Sequence, residues 1–331
     1  MNRRILGMIW AVGCVAVGMG CERMTHSNER DGSHPYHIVT TIGQITDITR
    51  EVAGDQAVVT GLMGPGVDPH LYMPTRSDVV RLMEADLVFY CGLLLEGKMT
   101  DILARIARTG RPVFAVTELV DESHLLQPEE YEGQYDPHLW MDVPLWMEVV
   151  KAVTRTLCDF DPEHADYYKG RASRYIRSLK ELHEYAEKVL QTVHDDRRIL
   201  ITAHDAFNYF GRAYGFEVRG IQGITTDSEA GIRDINRLVD LIVERDIGAV
   251  FIESSVADKN VRALIEGARA RGADVRIGGT LFSDAMGPRG SYEGTYIGMI
   301  DHNATAIARA LGGQAPIRGM QGKLRLLEKE E

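Results

Sequence analysis

The sequence presents two histidines in closely similar settings. Asp68-Pro69-His70 and Asp136-Pro137-His138 each continue through a leucine into an aromatic residue. Proline fixes its own φ at about −65° and biases the residue before it towards an extended conformation. Each imidazole should therefore leave the chain in a defined direction, which is how a metal ligand is held.

Two further motifs supply the other donors of a metal site. His204 lies in Thr-Ala-His-Asp-Ala-Phe, directly after the apolar run 199–201, and Asp284 lies in a turn followed by a glycine. Three imidazoles and one carboxylate can close a site around a transition metal, with zinc favoured and manganese or iron as alternatives. The candidate metal ligands are thus His70, His138, His204 and Asp284.

Carboxylates close to these residues in the sequence are candidates for a supporting role. They could accept hydrogen bonds from the free ring nitrogens of the ligands and so fix the tautomers. The candidates for this role are Asp68, Asp136, Asp142, Asp205 and Glu253. Glu253 follows the apolar run 249–252 and is also the best spare candidate for a direct ligand.

Other residues have weaker claims to the metal. His124 lies in an acidic loop, where it could pass metal inward, and Cys91 is an alternative ligand. Cys91 and Cys158 could form one disulfide in an oxidising compartment, but a buried free thiol is the more common state for a cysteine at the end of an apolar run. No catalytic residues are predicted.

Composition narrows the class of protein. The chain has 331 residues, a formal net charge of −11 and a hydrophobic fraction of 44%. This length favours two lobes over one core. The acidic balance argues against a nucleic-acid partner, because phosphate binding requires a basic surface, and it suits a protein that collects cations.

The N-terminus has the pattern of an export signal. Arg3 and Arg4 precede an apolar stretch that is too short for an ordinary transmembrane helix. It ends in Gly-Met-Gly-Cys, so we predict a signal at 1–21, lipid attachment at Cys21 and a flexible tether over 22–36. Simple cleavage and an uncleaved signal anchor are the alternatives. The protein should then lie outside the cytoplasm, in the periplasm or at the cell surface, attached to the membrane.

The remaining chain alternates strand-like and helical segments. This order predicts the α/β class, with two lobes that each have a mostly parallel central sheet flanked by helices. We place the lobes at 37–160 and 196–315, followed by a polar tail at 316–331. Apolar residues at spacings of three and four predict one long, rigid connecting helix over 161–195, with Asp161 as N-cap and Pro162 as its first residue.

Four ordered motifs resemble those of the metal-binding lipoproteins of zinc and manganese ABC importers, and most closely the TroA-type branch. They are Gly66-Val67-Asp68-Pro69-His70 with Tyr72, Pro74, Thr75 and Asp78; Asp136-Pro137-His138 with Trp140 and Asp142; Ala203-His204-Asp205-Ala206-Phe207 with Tyr209 and Phe210; and Leu281 with Ser283, Asp284 and Gly287. The similarity extends from about residue 38 to 311.

The resemblance implies a fold, a site and a function. Two α/β lobes joined by a rigid helix would hold one metal between them, with His70 and His138 from the first lobe and His204 and Asp284 from the second. The protein would be a solute-binding component that delivers the metal to a membrane permease, and not an enzyme. We expect a monomer. A metal-binding surface adhesin and, with less support, a secreted metallo-hydrolase are the alternatives.

Overall fold

The structure is a computed structural model, and it describes residues 35–128, 131 and 133–325. The predicted signal at 1–21, with Cys21, lies outside the described residues. So do most of the predicted tether and the end of the predicted polar tail.

The first half of the chain forms a four-stranded parallel sheet. Its strands are β1 (Tyr36–Thr40), β2 (Ala57–Gly61), β3 (Leu87–Tyr90) and β4 (Val113–Ala115). They lie in the order β2-β1-β3-β4, with Ile38 of β1 opposite Val59 and Leu87. The helices that accompany this sheet are α1 (Gly43–Ala53), α2 (Arg76–Glu84) and α3 (Thr100–Arg108).

Two helices follow this sheet in the chain. The first, α4 (Val143–Phe160), is capped by Asp142, whose side chain accepts a hydrogen bond from the amide of Leu145. The second, α5 (Ala165–Leu190), has 26 residues, which corresponds to a length of about 39 Å. It packs against α4 and α1.

The predicted long helix is therefore present, with a shorter α-helical span than 161–195. Residues 162–164 form a 3₁₀ turn in front of α5. The carboxylate of Asp161 accepts hydrogen bonds from the side chains of His164 and Tyr168 and caps no backbone amide.

The second half of the chain repeats the alternation of strands and helices. Its strands are β5 (Ile199–His204), β6 (Glu217–Gln222), β7 (Ala249–Glu253) and β8 (Arg276–Leu281), and its helices are α6 (Asn208–Tyr214), α7 (Ile232–Glu244), α8 (Lys259–Ala270) and α9 (Tyr296–Ala310). Parallel ladders join β5 to β6 and β7 to β8, and β5 lies next to β7. The predicted α/β class with parallel sheets is confirmed.

Successive residues of β5 belong to two different apolar clusters in the second half of the chain. Ile199 and Ile201 of β5 belong to a cluster that also contains side chains of α7 and α8, whereas Leu200 belongs to a larger cluster. This larger cluster is continuous with the first sheet, α1, α4, α5 and α9. The two lobes therefore share a buried apolar core in addition to the connecting helix, and this should restrict wide hinge motion.

None of the helices in the described part of the chain is both long and apolar enough to cross a membrane.

Candidate metal centre

The four candidate ligands converge at one buried point. Each of His70, His138, His204 and Asp284 offers a nitrogen or oxygen atom, and these four atoms lie within 4.8 Å of one another. All four residues are buried, and His70 retains the most exposure, at 2%. The structure thus brings together residues that are up to 214 positions apart in the sequence, from 70 to 284.

The spacing of these atoms suits a single metal ion. The Nε2 atoms of His70 and His138 are 3.4 Å apart, and the Nε2 atom of His138 is 3.4 Å from Oδ1 of Asp284. Oδ2 of Asp284 lies 3.2 Å from Nε2 of His204 and 3.8 Å from Nε2 of His70. Tetrahedral bonds of about 2.0 Å to zinc place neighbouring ligand atoms roughly 3.3 Å apart.

Several of these atoms have no hydrogen-bond partner among the described residues. They are Nε2 of His204 and both carboxylate oxygens of Asp284, all of them buried. The contact between His204 and Asp284 is short enough for an ion pair but lacks the alignment of a hydrogen bond. Unsatisfied buried polar groups are costly, and a bound cation would satisfy all three of these atoms.

The His138 turn is held by one carboxylate in two places. Oδ1 of Asp136 accepts hydrogen bonds from the backbone amide of His138 (2.9 Å) and from its ring Nδ1 (2.7 Å). Oδ2 of the same residue accepts a hydrogen bond from the side-chain amide of Asn208. The ring of His138 is therefore fixed in both orientation and tautomer, with Nε2 directed at the cluster.

His204 is held in the same manner by a carboxylate on the neighbouring strand. His204 ends β5 and Glu253 ends β7. The amide of His204 donates to Oε1 of Glu253 (2.9 Å), and its ring Nδ1 donates to Oε2 (2.6 Å). Glu253 thus contacts the ring nitrogen that faces away from the cluster, and it is not among the four clustered donors.

The His70 turn has the same backbone geometry but a different ring environment. Oδ1 of Asp68 accepts a hydrogen bond from the backbone amide of His70 (2.9 Å). In the described part of the chain, the ring Nδ1 of His70 has no hydrogen-bond partner. The other oxygen of Asp68 accepts a hydrogen bond from the hydroxyl of Thr226 at 2.6 Å.

Asp284 is positioned through the carbonyl of the residue before it. The carbonyl oxygen of Ser283 accepts hydrogen bonds from the side-chain amide of Gln44 (3.1 Å) and from the indole of Trp140 (2.9 Å). Gln44 is on α1 and Trp140 follows His138, so both donors come from the first half of the chain. The turn that carries Asp284 is consequently held by the opposite lobe.

Burial and charge give the three imidazoles different proton affinities. Burial lowers the pKa of His70 to about 3, and the charge of Asp284 does not compensate for this. Burial also acts to lower the pKa of His138, but Asp136 and Asp284 outweigh it and raise that pKa to about 9. Likewise, Glu253 and Asp284 overcome burial and raise the pKa of His204 well above its usual range.

The carboxylate of Asp284 responds to the same neighbours. Burial acts to raise its pKa, but the charges and contacts of His204 and His138 outweigh burial and hold the pKa well below the usual range. Before metal binds, the cluster therefore carries protons on His138 and His204 that balance the charge of Asp284. A metal ion that binds to these four residues would have to displace those protons.

The remaining sequence-predicted residues lie elsewhere. Asp142 caps α4 and pairs with Arg212, and Asp205 accepts a hydrogen bond from the amide of Gly220. His124 is exposed in a loop. Cys91 and Cys158 are free thiols, and Sγ of Cys91 contacts the carbonyl of Pro137. Among the candidate supporting carboxylates, Asp136 and Glu253 contact the rings of candidate ligands, whereas Asp68 contacts the backbone of one.

Three contributors to the site were not identified from the sequence. Thr226 and Gln44 carry no motif, and their partners are far away in the chain. Trp140 did stand within a motif, although its hydrogen bond to Ser283 could not be read from it. The contact of each Asp with the amide two residues later did have a sequence signal, because Asx turns favour this arrangement.

Fold and site together define a class of protein with two α/β lobes and a buried cluster of three histidines and one aspartate between them. Residues 38–310 match the family described as zinc-uptake complex component A, periplasmic. The chain belongs to this family.

Individual relatives agree with this assignment. The chain is 48% identical over 274 residues to the zinc-binding protein TroA of Treponema pallidum, covering 83% of this chain and 88% of the relative. It is 43% identical over 287 residues to the manganese-binding lipoprotein MntA of Bacillus subtilis, covering 87% of this chain and 93% of the relative. The solved structure of the periplasmic zinc-binding protein TroA from Treponema pallidum superposes with a TM-score of 0.81 at 47% identity, covering 83% of this chain and 99% of that chain.

Proposed function

We propose that His70, His138, His204 and Asp284 bind one divalent metal ion, which this protein captures outside the cytoplasmic membrane and delivers to the permease of an ABC importer. The metal is cargo and no reaction takes place on it. The family is one of transport components, so the metallo-hydrolase interpretation is set aside. No contact in the described residues favours the adhesin interpretation.

One observation carries the site assignment. Three buried polar atoms on His204 and Asp284 have no hydrogen-bond partner among the described residues, and the Asp284 oxygens lie 3.8, 3.4 and 3.2 Å from the Nε2 atoms of His70, His138 and His204. A fold would not retain this arrangement for stability, because each unsatisfied polar group costs about 1–3 kcal/mol. Metal binding supplies the missing partner.

The donor set favours zinc over manganese as the ion bound more tightly. Three imidazole nitrogens and one carboxylate suit zinc, and the general order of affinities also places zinc above manganese. The two relatives described above are named for zinc and for manganese. We therefore propose zinc as the preferred cargo and manganese as the alternative.

The proposal includes the way in which the protein is attached and organised. Lipid on Cys21 would anchor the chain, and 22–36 would serve as the tether. We place the lobes at 37–160 and 196–315, with 161–195 as the connection and 316–331 as the tail. A net charge of −11 argues against nucleic acid as a partner, and we propose that the protein acts as a monomer.

The test is metal stoichiometry and competition on the mature protein. Native mass spectrometry should detect one tightly bound zinc ion per chain, and two or more tight sites would contradict the proposal. In a chelator competition at equal free metal, zinc should bind more tightly than manganese. The variant His204→Glu should narrow that difference, because it replaces a nitrogen ligand with the oxygen that manganese prefers.

A further inference from the structure

Four candidate ligands surround the proposed metal position. Three of them are kept in place by hydrogen bonds to groups outside the cluster. The rings of His138 and His204 are each bound by a carboxylate, and the Asp284 turn is bound through Ser283 by two side chains of the opposite lobe. The ring of His70 has no such partner in the described residues. Its direction depends on the backbone turn that carries it.

The geometry of the His70 turn depends on a residue of the other lobe. Asp68 uses one oxygen to accept the hydrogen bond from the amide of His70 and the other to accept the hydroxyl of Thr226. Thr226 is in the loop between β6 and α7, 158 positions away in the sequence, and it is 8% exposed. The hydroxyl therefore fixes the rotamer of Asp68 from across the cleft between the lobes.

The same loop lies at the edge of the protein. Asp227, the residue after Thr226, forms an ion pair with Lys98 at 3.0 Å, and the side chains of both remain about half exposed. Exposed ion pairs contribute little to stability. The loop that holds Asp68 is thus attached to the first lobe by one partly buried hydrogen bond and one solvent-exposed ion pair.

We infer that Thr226 is a positioning residue for His70, and that release of the metal begins when the Thr226 hydroxyl leaves Asp68. This inference rests on the proposed function and assigns an order of events at that site. Movement of the 223–231 loop breaks the hydrogen bond between Thr226 and Asp68. Asp68 then no longer fixes the turn that carries His70, and His70 becomes the first ligand to dissociate. His138, His204 and Asp284 keep their partners throughout that step.

The test compares two substitutions that differ by a hydroxyl. Thr226→Val keeps the shape of the side chain and removes the donor, whereas Thr226→Ser retains the donor. Zinc-loaded mature protein is mixed with excess chromogenic chelator in a stopped-flow instrument. We expect Thr226→Val to release zinc about tenfold faster than wild type, since hydrogen bonds to charged groups are among the stronger ones, and Thr226→Ser to release zinc at the wild-type rate.

Two further variants distinguish positioning of His70 from general loosening of the loop. Lys98→Met removes the exposed ion pair and leaves the Thr226–Asp68 hydrogen bond, so it should release zinc at the wild-type rate. If Thr226 acts through His70, Thr226→Val should have no effect on zinc release in a His70→Ala background. Melting of the metal-free variants establishes that each is folded.

The outcomes separate this inference from the proposed function. Unchanged zinc release by Thr226→Val, or an equally large acceleration in the His70→Ala background, would overturn the role given to Thr226 while wild-type binding still supports the site. Wild-type protein that binds no zinc would overturn the proposed function itself.

Discussion

The two Asp-Pro-His turns have the same sequence and different surroundings. In both, the Asp accepts a hydrogen bond from the amide two residues later. At the second turn the same carboxylate also binds the ring of His138, whereas at the first turn the carboxylate is directed to Thr226 of the other lobe. Each carboxylate therefore also contacts the opposite lobe, Asp136 through Asn208 and Asp68 through Thr226, but only the second turn holds the ring of its own histidine.

This difference shows that a sequence motif can determine the backbone conformation of a turn, while the protonation of its histidine is determined by tertiary contacts. The pKa of His138 is about 9, held up by Asp136 and Asp284 against the effect of burial, and burial lowers the pKa of His70 to about 3. Two ligands of one proposed site thus differ in the charge they carry before metal binds. We expect them to differ in their contribution to affinity as well.

The largest expected effect is the loss of a ligand. Structural zinc sites in small domains contribute roughly 10–16 kcal/mol of binding free energy, so one of four ligands accounts for about 2.5–4 kcal/mol. His138→Ala should lower zinc affinity on the order of a thousandfold. His70→Ala should cost less, about a hundredfold, because binding must first order its loosely held ring. Chelator competition measures both.

The matched control for these variants is His124→Ala, which removes an exposed loop histidine and should leave affinity unchanged. Circular dichroism of the metal-free proteins checks that each variant is folded. Equal losses for His70 and His138 would remove the proposed asymmetry between the two turns.

The pH dependence of binding should separate the two turns next. Below about pH 9 the metal-free protein carries a proton on His138, and the raised pKa of His204 adds another. Metal binding releases these protons, so affinity should fall as pH falls, by about tenfold per pH unit for each proton. His70 is already neutral in this range, because its pKa is about 3.

Calorimetry in buffers of different ionisation enthalpy counts the released protons. The pH slope should persist in His70→Ala and decrease in His138→Ala. Binding that releases no protons between pH 6 and 8 would contradict the charge states described for the cluster.

Substitution of the two turn carboxylates should have a smaller effect. Asp136→Asn removes the charge beside His138 and should lower zinc affinity about tenfold. This is at the low end of the roughly 10–100-fold losses seen when partners of metal-bound histidines are replaced, because the asparagine oxygen still accepts the ring N–H. Asp68→Asn keeps groups that can pair with the His70 amide and with Thr226, so affinity should change by less than about threefold. A larger loss in Asp68→Asn than in Asp136→Asn would reverse the comparison.

A similarly small effect is expected from the hydrogen bond that joins the segment after the second turn to the Asp284 turn. Trp140→Phe removes the indole hydrogen bond to Ser283 and leaves that of Gln44. Zinc dissociation should become about threefold faster, in line with the loss of one neutral hydrogen bond. Trp146→Phe is the control, because the indole nitrogen of Trp146 is buried without a partner among the described residues. Equal rates in the two variants would count against the link.

Local patterns in the sequence were sufficient for most of the elements that carry the site. The sequence pattern predicts helices at 76–84 and 100–108 and a strand at 87–90, and these are the bounds of α2, α3 and β3, because short apolar runs and amphipathic segments there are separated by polar turns. The helix α4 was missed. Its buried residues include Val149, Val150, Ala152 and Val153, and apolar side chains this closely spaced obscure a helical period.

The candidate ligands could be predicted because each lies in its own motif, and motifs are local. The contacts that hold these ligands in place could not be predicted from the sequence. Asp68 and Asp136 received the same expectation from the same tripeptide, yet only Asp136 contacts the ring of its histidine, although each of the two carboxylates directs its second oxygen to a side chain of the opposite lobe. Contacts such as Gln44 to Ser283, 239 positions apart, exist only once both lobes are assembled.

The central claim is that one metal ion binds to His70, His138, His204 and Asp284 together. The most direct measurement is an anomalous difference map at the zinc absorption edge, from crystals of the zinc-loaded mature protein. We expect a single peak at about 2.0–2.2 Å from the Nε2 atoms of the three histidines and from a carboxylate oxygen of Asp284. A peak that lacks any one of these four ligands, or a fully occupied peak elsewhere in the protein, would contradict the account.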